Sequence, residues 1–171
     1  MRIRTEPPER HTLAVTVANE PGILARIAGL FAGRGYNIES LTVAEVAHDT
    51  TVSRITVVTS GPPQVVDQII AQLDRLPPVH TVVDLTAQGP HVERELALVK
   101  VRGTGDHRIE ALRLAEVYRA RVVDATIQSF VFEVTGGTDK IDKFVELMGE
   151  VGLIEVARTG IVAIARGREA V

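Results

Sequence analysis

Cysteine is absent from the 171 residues, and with it go disulfides, thiolate metal sites and cysteine nucleophiles. That absence is also compatible with a reducing cytosol. Tryptophan is missing and aromatic residues make up only 4% of the chain, so Val, Ile, Leu and Ala must build the core, which suits strands packed beneath helices. No apolar run approaches the ~20 residues a membrane helix needs. Met1 to Arg10 is polar, with two prolines, and does not read as a signal peptide. Net charge is −3 with a pI near 6.0, so no basic field points to nucleic acid or an anionic membrane. The chain reads as soluble and cytoplasmic, with neither nucleic acid nor membrane among its partners.

What is present is 45% apolar sequence, enough for a real core in one domain or two small ones. Residues 1–10 read as a loose leader. From His11 to Ala18, Leu13, Val15 and Val17 alternate with Thr12, Ala14 and Thr16, the period-2 pattern of a strand. A helix starting at Pro21 carries Ile23, Leu24, Ile27, Ala28, Leu30 and Phe31 on one stripe and ends at Arg34-Gly35, with Gly35 suited to the left-handed position after a helix. Strands follow at about 37–46 and 53–59, separated by a turn over 47–51. A second helix opens at Gly61-Pro62-Pro63 and stops at Pro77-Pro78, and a fourth strand covers about 79–86.

Residues 11–86 thus read β-α-β-β-α-β, the split ferredoxin-like order. After a polar linker over 87–94, residues 95–167 repeat it. A strand at Leu96–Val101 leads into a helix at about 106–118, strands at about 120–127 and 129–135, and a helix with Thr138 as its N-cap. A last strand lies within 153–165, with Thr159-Gly160 as an interruption, before a tail at 168–171. The predicted fold is α+β, two ferredoxin-like βαββαβ domains in tandem.

One stretch, Asn19 to Ser40, groups polar chemistry around the first helix. Gly22 lacks a Cβ, and the amides of Gly22, Ile23 and Leu24 lie at the positive end of the helix, where an anion can approach. Asn19 and Asn37 bracket the helix with side chains that donate and accept. The groups together can hold the carboxylate and ammonium of a free amino acid; an ordinary strand, turn and helix is the other reading they allow.

Other candidates are poorer. The β-α-β-β-α-β order is shared by RNA-recognition modules, which stack bases on aromatic side chains, yet Ser53 to Val58 holds no aromatic residue. His11, His48, His80, His91 and His107 are scattered, with no metal-ligand spacing. Gly103-Thr104-Gly105-Asp106-His107-Arg108 lacks both the Lys-Ser/Thr ending of a phosphate loop and the third glycine of a dinucleotide fingerprint. Arg158-Thr159-Gly160 and Arg166-Gly167-Arg168 suit either contact with an acidic partner or an ordinary solvated end.

With both halves laid out, the chain resembles the small, regulatory subunit of acetolactate synthase (acetohydroxyacid synthase). The likeness covers nearly all of residues 11–167 and rests on four segments: Asn19-Glu20-Pro21-Gly22, Arg34-Gly35-Tyr36-Asn37-Ile38-Glu39-Ser40-Leu41-Thr42-Val43, Glu93-Arg94-Glu95-Leu96-Ala97-Leu98 and Ala157-Arg158-Thr159-Gly160. The resemblance implies that residues 11–86 form an ACT domain, and that two copies in a homodimer sit edge to edge as one sheet. It implies further that a feedback inhibitor, usually valine, binds at that interface. Asn19, Pro21, Gly22, Ile23 and Leu24 of one copy would hold its polar end, and Asn37 and Ile38 of the neighbour would close the pocket. The second domain is similar in fold to the sensor domain of nickel-responsive repressors, but the nickel site does not carry over, since this half has no Cys and only His107. In the family, thiamine diphosphate, Mg²⁺ and FAD reside on the catalytic large subunit. The resemblance therefore implies a chain without cofactor or catalysis of its own, which activates that partner and renders it valine-sensitive in branched-chain amino acid biosynthesis. A free-standing ACT amino-acid sensor acting on another partner is the competing reading, and it leaves the second domain without a purpose.

Overall fold

The computed structural model describes residues 8–46, 48–168 and 170–171. They form two compact units: the described residues up to Val92 together with Ile161–Val171, and Glu93–Gly160. In the first, β1 (Glu9–Ala18), α1 (Ile23–Gly33), β2 (Ser40–Val46), β3 (Asp49–Gly61), α2 (Pro63–Leu73) and β4 (Val79–Asp84) follow in order, then a short helix α3 (Leu85–Gln88). The antiparallel sheet runs β2-β3-β1-β4, so the first strand lies inside and β2 is an edge.

The alternation in β1 works as anticipated on one face. Leu13, Val15 and Val17 meet Ile23, Ile27 and Phe31 of α1 and Val66, Ile69 and Leu73 of α2, whose spacings of three and four bring each set onto one helix face. The opposite face of β1 is no more exposed, since Thr12 and Ala14 are completely buried. Ala14 packs against Leu85 of α3 and Ala163.

Ala163 belongs to β9 (Val162–Ala165), which pairs with β5 (His91–Arg102). Hydrogen bonds seat the segment before it on the outer face of the first sheet. The Ile161 amide donates to Ser40 Oγ at 2.8 Å, Thr42 Oγ1 donates to the Ile161 carbonyl at 3.0 Å, and Arg54 Nη2 donates to the Ala163 carbonyl at 2.9 Å. The sequence reading carries the second domain to residue 167; by packing, residues from Ile161 onward belong with the first unit, because Ile161 and Ala163 become buried there.

The second unit repeats the topology. β5 (His91–Arg102), α4 (Asp106–Val117), β6 (Arg121–Ala125), β7 (Ser129–Gly136), α5 (Thr138–Val151) and β8 (Leu153–Arg158) build a sheet in the order β6-β7-β5-β8. Val99, Val101, Phe130 and Phe132 face Phe144 and Met148 in its core. The α+β architecture with two tandem βαββαβ units is therefore the one the sequence predicts.

Several boundaries differ. Residues 1–7 of the expected leader lie outside the described residues, whereas Glu9 and Arg10 are already strand, paired with Gly61 and Ser60. The first helix begins at Ile23, two residues later than Pro21 suggested, because Gly22 adopts a left-handed conformation that interrupts the helical path. The 47–51 turn is tighter than expected: β3 starts at Asp49, His48 takes φ 77° and Ala47 lies outside the described residues. The 87–94 linker is largely structured, its ends belonging to α3 and β5. Thr138 is not the N-cap; Gly137 is, and the Thr138 hydroxyl is buried without a hydrogen-bond partner among the described residues. The last strand is broken at residues 159–161, as Thr159-Gly160 suggested.

One polar feature stands out inside the second unit. Glu95, only 5% exposed, accepts two hydrogen bonds from Arg158, whose Nη1 also reaches Asp142 Oδ1 at 2.7 Å. Bonding to Glu95 first, and to Asp142 next, holds the Arg158 guanidinium above its ordinary value. Truncating Glu95 to Ala should cost about 1.5–3 kcal/mol, since a charged group then loses its hydrogen-bonded partner, and Glu95→Gln should lie between it and the parent. Urea denaturation followed by circular dichroism measures both; coincident midpoints for all three would show that the pair contributes nothing.

Candidate effector site

The predicted residues fall into two groups. The first sits where β1 gives way to α1. The Asn19 amide donates to the Thr51 carbonyl at 2.7 Å and the Ala18 amide to the Pro78 carbonyl at 2.8 Å, fixing the end of β1. The chain then turns through Glu20, Pro21 and Gly22. Gly22 takes φ +86°, and a Cβ built there would meet nothing within 4 Å. Glycine is thus required by the backbone conformation, not by crowding within the chain.

At the helix start the Ile23 amide donates to the Glu20 carbonyl at 3.3 Å, while among the described residues the amides of Gly22 and Leu24 have no acceptor. Two of the three expected donors are therefore free at the positive end of α1. Ile23 turns into the core and Leu24 is 41% exposed beside the free amides. The side chain of Asn19 is partly committed: Nδ2 donates to Glu45 Oε1 at 3.1 Å and to the Thr50 carbonyl at 2.9 Å. Its Oδ1 remains as an acceptor, suited to an ammonium group more than to a carboxylate. Glu45 adds a carboxylate at the same place. The sequence reading missed it, because only the β2–β3 pairing carries Glu45 back to Asn19.

The second group, Asn37 and Ile38, sits at the other end of α1. The helix closes with the Tyr36 amide on the Phe31 carbonyl at 3.0 Å and the Gly35 amide on the Ala32 carbonyl at 3.2 Å, a Schellman ending with Gly35 at φ +69°. The rings of Phe31 and Tyr36 meet edge-on at 6.4 Å and secure it. The Asn37 carbonyl accepts from Thr59 Oγ1 at 2.6 Å, its side chain is exposed, and Ile38 packs partly against the core.

One copy of the chain does not bring the two groups together. Asn19 is tied to Thr51 and Asn37 to Thr59, positions eight residues apart on β3, or ~27 Å at the rise of an antiparallel strand. The 11 residues of α1 lie between the two groups and account for about 16 Å of that distance.

The remaining candidates resolve differently. His11 Nδ1 pairs with Asp84 Oδ2 at 2.7 Å, and among the described residues no group of three or more His, Asp or Glu side chains is placed to hold a metal. The Gly103–Gly105 loop is held from within: Arg108 Nη1 donates to the carbonyls of Gly103 at 3.2 Å and Thr126 at 3.0 Å, and its guanidinium stacks over Phe130 at 4.1 Å. Arg158 is engaged by Glu95 and Asp142, which makes its role structural and not that of a solvated end. None of the described helices is long and apolar enough to cross a membrane.

Comparison with known proteins bears on the two units as a whole. Residues 13–81 match the model described as "AHAS small subunit-like ACT domain", and residues 94–167 match "Small subunit of acetolactate synthase". A probable acetolactate synthase small subunit from Archaeoglobus fulgidus is 47% identical over 94% of this chain and 99% of its own. The acetolactate synthase small subunit of Aquifex aeolicus is 47% identical over 96% of this chain and 85% of its own. The crystal structure of the Thermotoga maritima small subunit superposes with a TM-score of 0.84 at 34% identity, covering 94% of this chain and 99% of that one. From the tandem βαββαβ units and a likeness that runs almost end to end, the chain belongs to the acetolactate synthase small-subunit family.

Proposed function

We propose that this chain is a non-catalytic regulatory subunit of acetolactate synthase, that it activates a catalytic large subunit, and that it confers feedback inhibition by valine in branched-chain amino acid biosynthesis. Valine lies between two copies in this reading. The free amides of Gly22 and Leu24 take its carboxylate, Asn19 Oδ1 and Glu45 take its ammonium, and Leu24 with Asn37 and Ile38 of the neighbouring copy encloses the isopropyl group. Thiamine diphosphate, Mg²⁺ and FAD belong to the catalytic partner.

The observation that carries the proposal is the separation of the two residue groups along β3, which leaves each half-site incomplete within one chain. The position of β2 supports it further. Among the described residues this strand pairs only with β3, which leaves its other backbone edge for a second copy. Val43 and Val46 on β2 are 45% and 39% exposed, apolar surface of the kind a partner strand covers. Valine regulates only if it favours one arrangement of the two copies over another; a coupling of ~1–3 kcal/mol suffices for a 5- to 150-fold effect.

Calorimetric titration with valine, leucine, isoleucine and serine tests the site. Valine should bind saturably, serine should not, and Asn19→Ala should weaken valine about tenfold, the loss of one good polar contact. No valine binding by the parent chain, alone or with its catalytic partner, would remove the proposal. Gly22→Asp and Gly22→Asn separate charge from backbone strain, since both place a side chain at φ +86° and differ only in the carboxylate. The aspartate variant should lose valine binding and valine inhibition while the asparagine variant retains much of both. Equal retention would show that the free amides do not hold the carboxylate.

A further inference from the structure

The chain leaves the first unit within β5, between Val92 and Glu93, and returns to it between Gly160 and Ile161. The second crossing is anchored on both sides by hydrogen bonds. On the side of the second unit, the Thr159 amide donates to the Leu96 carbonyl at 3.0 Å, the Leu96 amide donates to Thr159 Oγ1 at 3.1 Å, and Arg158 is held by the buried Glu95. On the side of the first unit, Ile161 is bound through both its amide and its carbonyl, to Ser40 and Thr42, and Ala163 through its carbonyl to Arg54. Partial burial lowers the Arg54 guanidinium from its ordinary value, so this contact is made by a half-buried charge.

Ser40 and Thr42 lie on β2. The far end of that strand carries Glu45, which accepts the hydrogen bond from Asn19. One strand thus joins the candidate effector site at one end to the anchor of the returning chain at the other. Only Gly160 lies between Ile161 and Thr159.

We infer that residues Thr159 to Ala163 act as a strap through which β2 governs the second unit, with Ser40 and Thr42 as the positioning residues that hold it. The inference rests on the effector reading above for what moves β2, but the strap itself is defined by contacts that exist without effector. An effector that shifts β2 pulls on Ile161 through two hydrogen bonds, and the displacement reaches β5 and β8 through Thr159 and Arg158. Spatial continuity alone does not establish coupling, so the test must read the far side of the strap.

Hydrogen exchange of the full chain, resolved at single amides by NMR, supplies that reading. The double variant Ser40→Ala/Thr42→Val removes both side-chain contacts to Ile161. Without effector, it should exchange the Ile161 and Ala163 amides at least tenfold faster than the parent, and the Thr159 amide at least threefold faster. Thr42→Val alone, close to isosteric, serves if the double variant does not fold, and should give the same pattern at smaller amplitude. Faster exchange confined to Ile161–Ala165 with Thr159 unchanged would overturn the strap. With valine added, the parent should gain protection at Thr159 and the variant should not, although it still binds valine within about threefold of the parent. Reconstituted with the catalytic subunit, the variant should lose most valine inhibition; full inhibition in a folded variant would contradict the proposal. If the parent binds no valine, the effector reading fails, and the effector-free exchange at Thr159 still decides the strap.

Discussion

Eight residues of β3 hold the two halves of the candidate pocket apart, and the rest of the regulatory reading depends on that separation. Asn19 is fastened to Thr51 at one end of the strand, and the Asn37 carbonyl to Thr59 at the other. Neither end is free to migrate, because β3 pairs along its length with β1 and β2 and α1, which lies between the two groups, is packed on the core. A split βαββαβ unit always returns its first helix to the opposite end of the sheet. A site assembled from both ends of that helix therefore requires another copy, placed so that its α1–β2 junction meets the first copy's β1–α1 junction.

The same antiparallel order explains where the chain stores its rigidity. In the second unit, Glu95 and Leu96 on β5 meet Arg158, the last residue of β8, and Thr159 just beyond it, so two short motifs 63 residues apart form one clamp. In the first unit, the outer face of the sheet is sealed by α3 and by the segment that follows the clamp. This makes Thr12 and Ala14 as buried as Leu13 and Val15, although only the latter pair belongs to the apolar phase of the strand.

Periodicity in the sequence was sufficient for the architecture. Leu13, Val15 and Val17 identified β1, Ile23, Ile27 and Phe31 the face of α1, and Gly35 its end, because these signals are local and each reports burial against a neighbouring layer. What stayed hidden is non-local. The return of Ile161 and Ala163 to the first unit rests on hydrogen bonds spanning 109 to 121 residues, which leave no trace in a short apolar run such as Ile161-Val162-Ala163-Ile164. Pro21 pointed to a helix start two residues early, because proline suits a turn followed by a left-handed glycine as well as it suits a first helical residue. At the candidate site, residue types pointed to an amino-acid ligand. The commitment of Asn19 to Glu45 and Thr50 depended on a hairpin register that no spacing rule supplies.

The central claim, that one effector site draws residues from two copies, is tested most directly by mixing defects. Asn19→Ala and Asn37→Ala chains are purified separately, each with weakened valine binding, and then combined as a heterodimer selected by two different affinity tags. The present account predicts that one of the two sites in the heterodimer, built from the intact Asn19 of one copy and the intact Asn37 of the other, recovers parental affinity, so that half the parental stoichiometry of tight binding returns. If both residues serve a site within a single chain, every site in the mixture keeps one defect. No tight binding would then return, and the account would be contradicted.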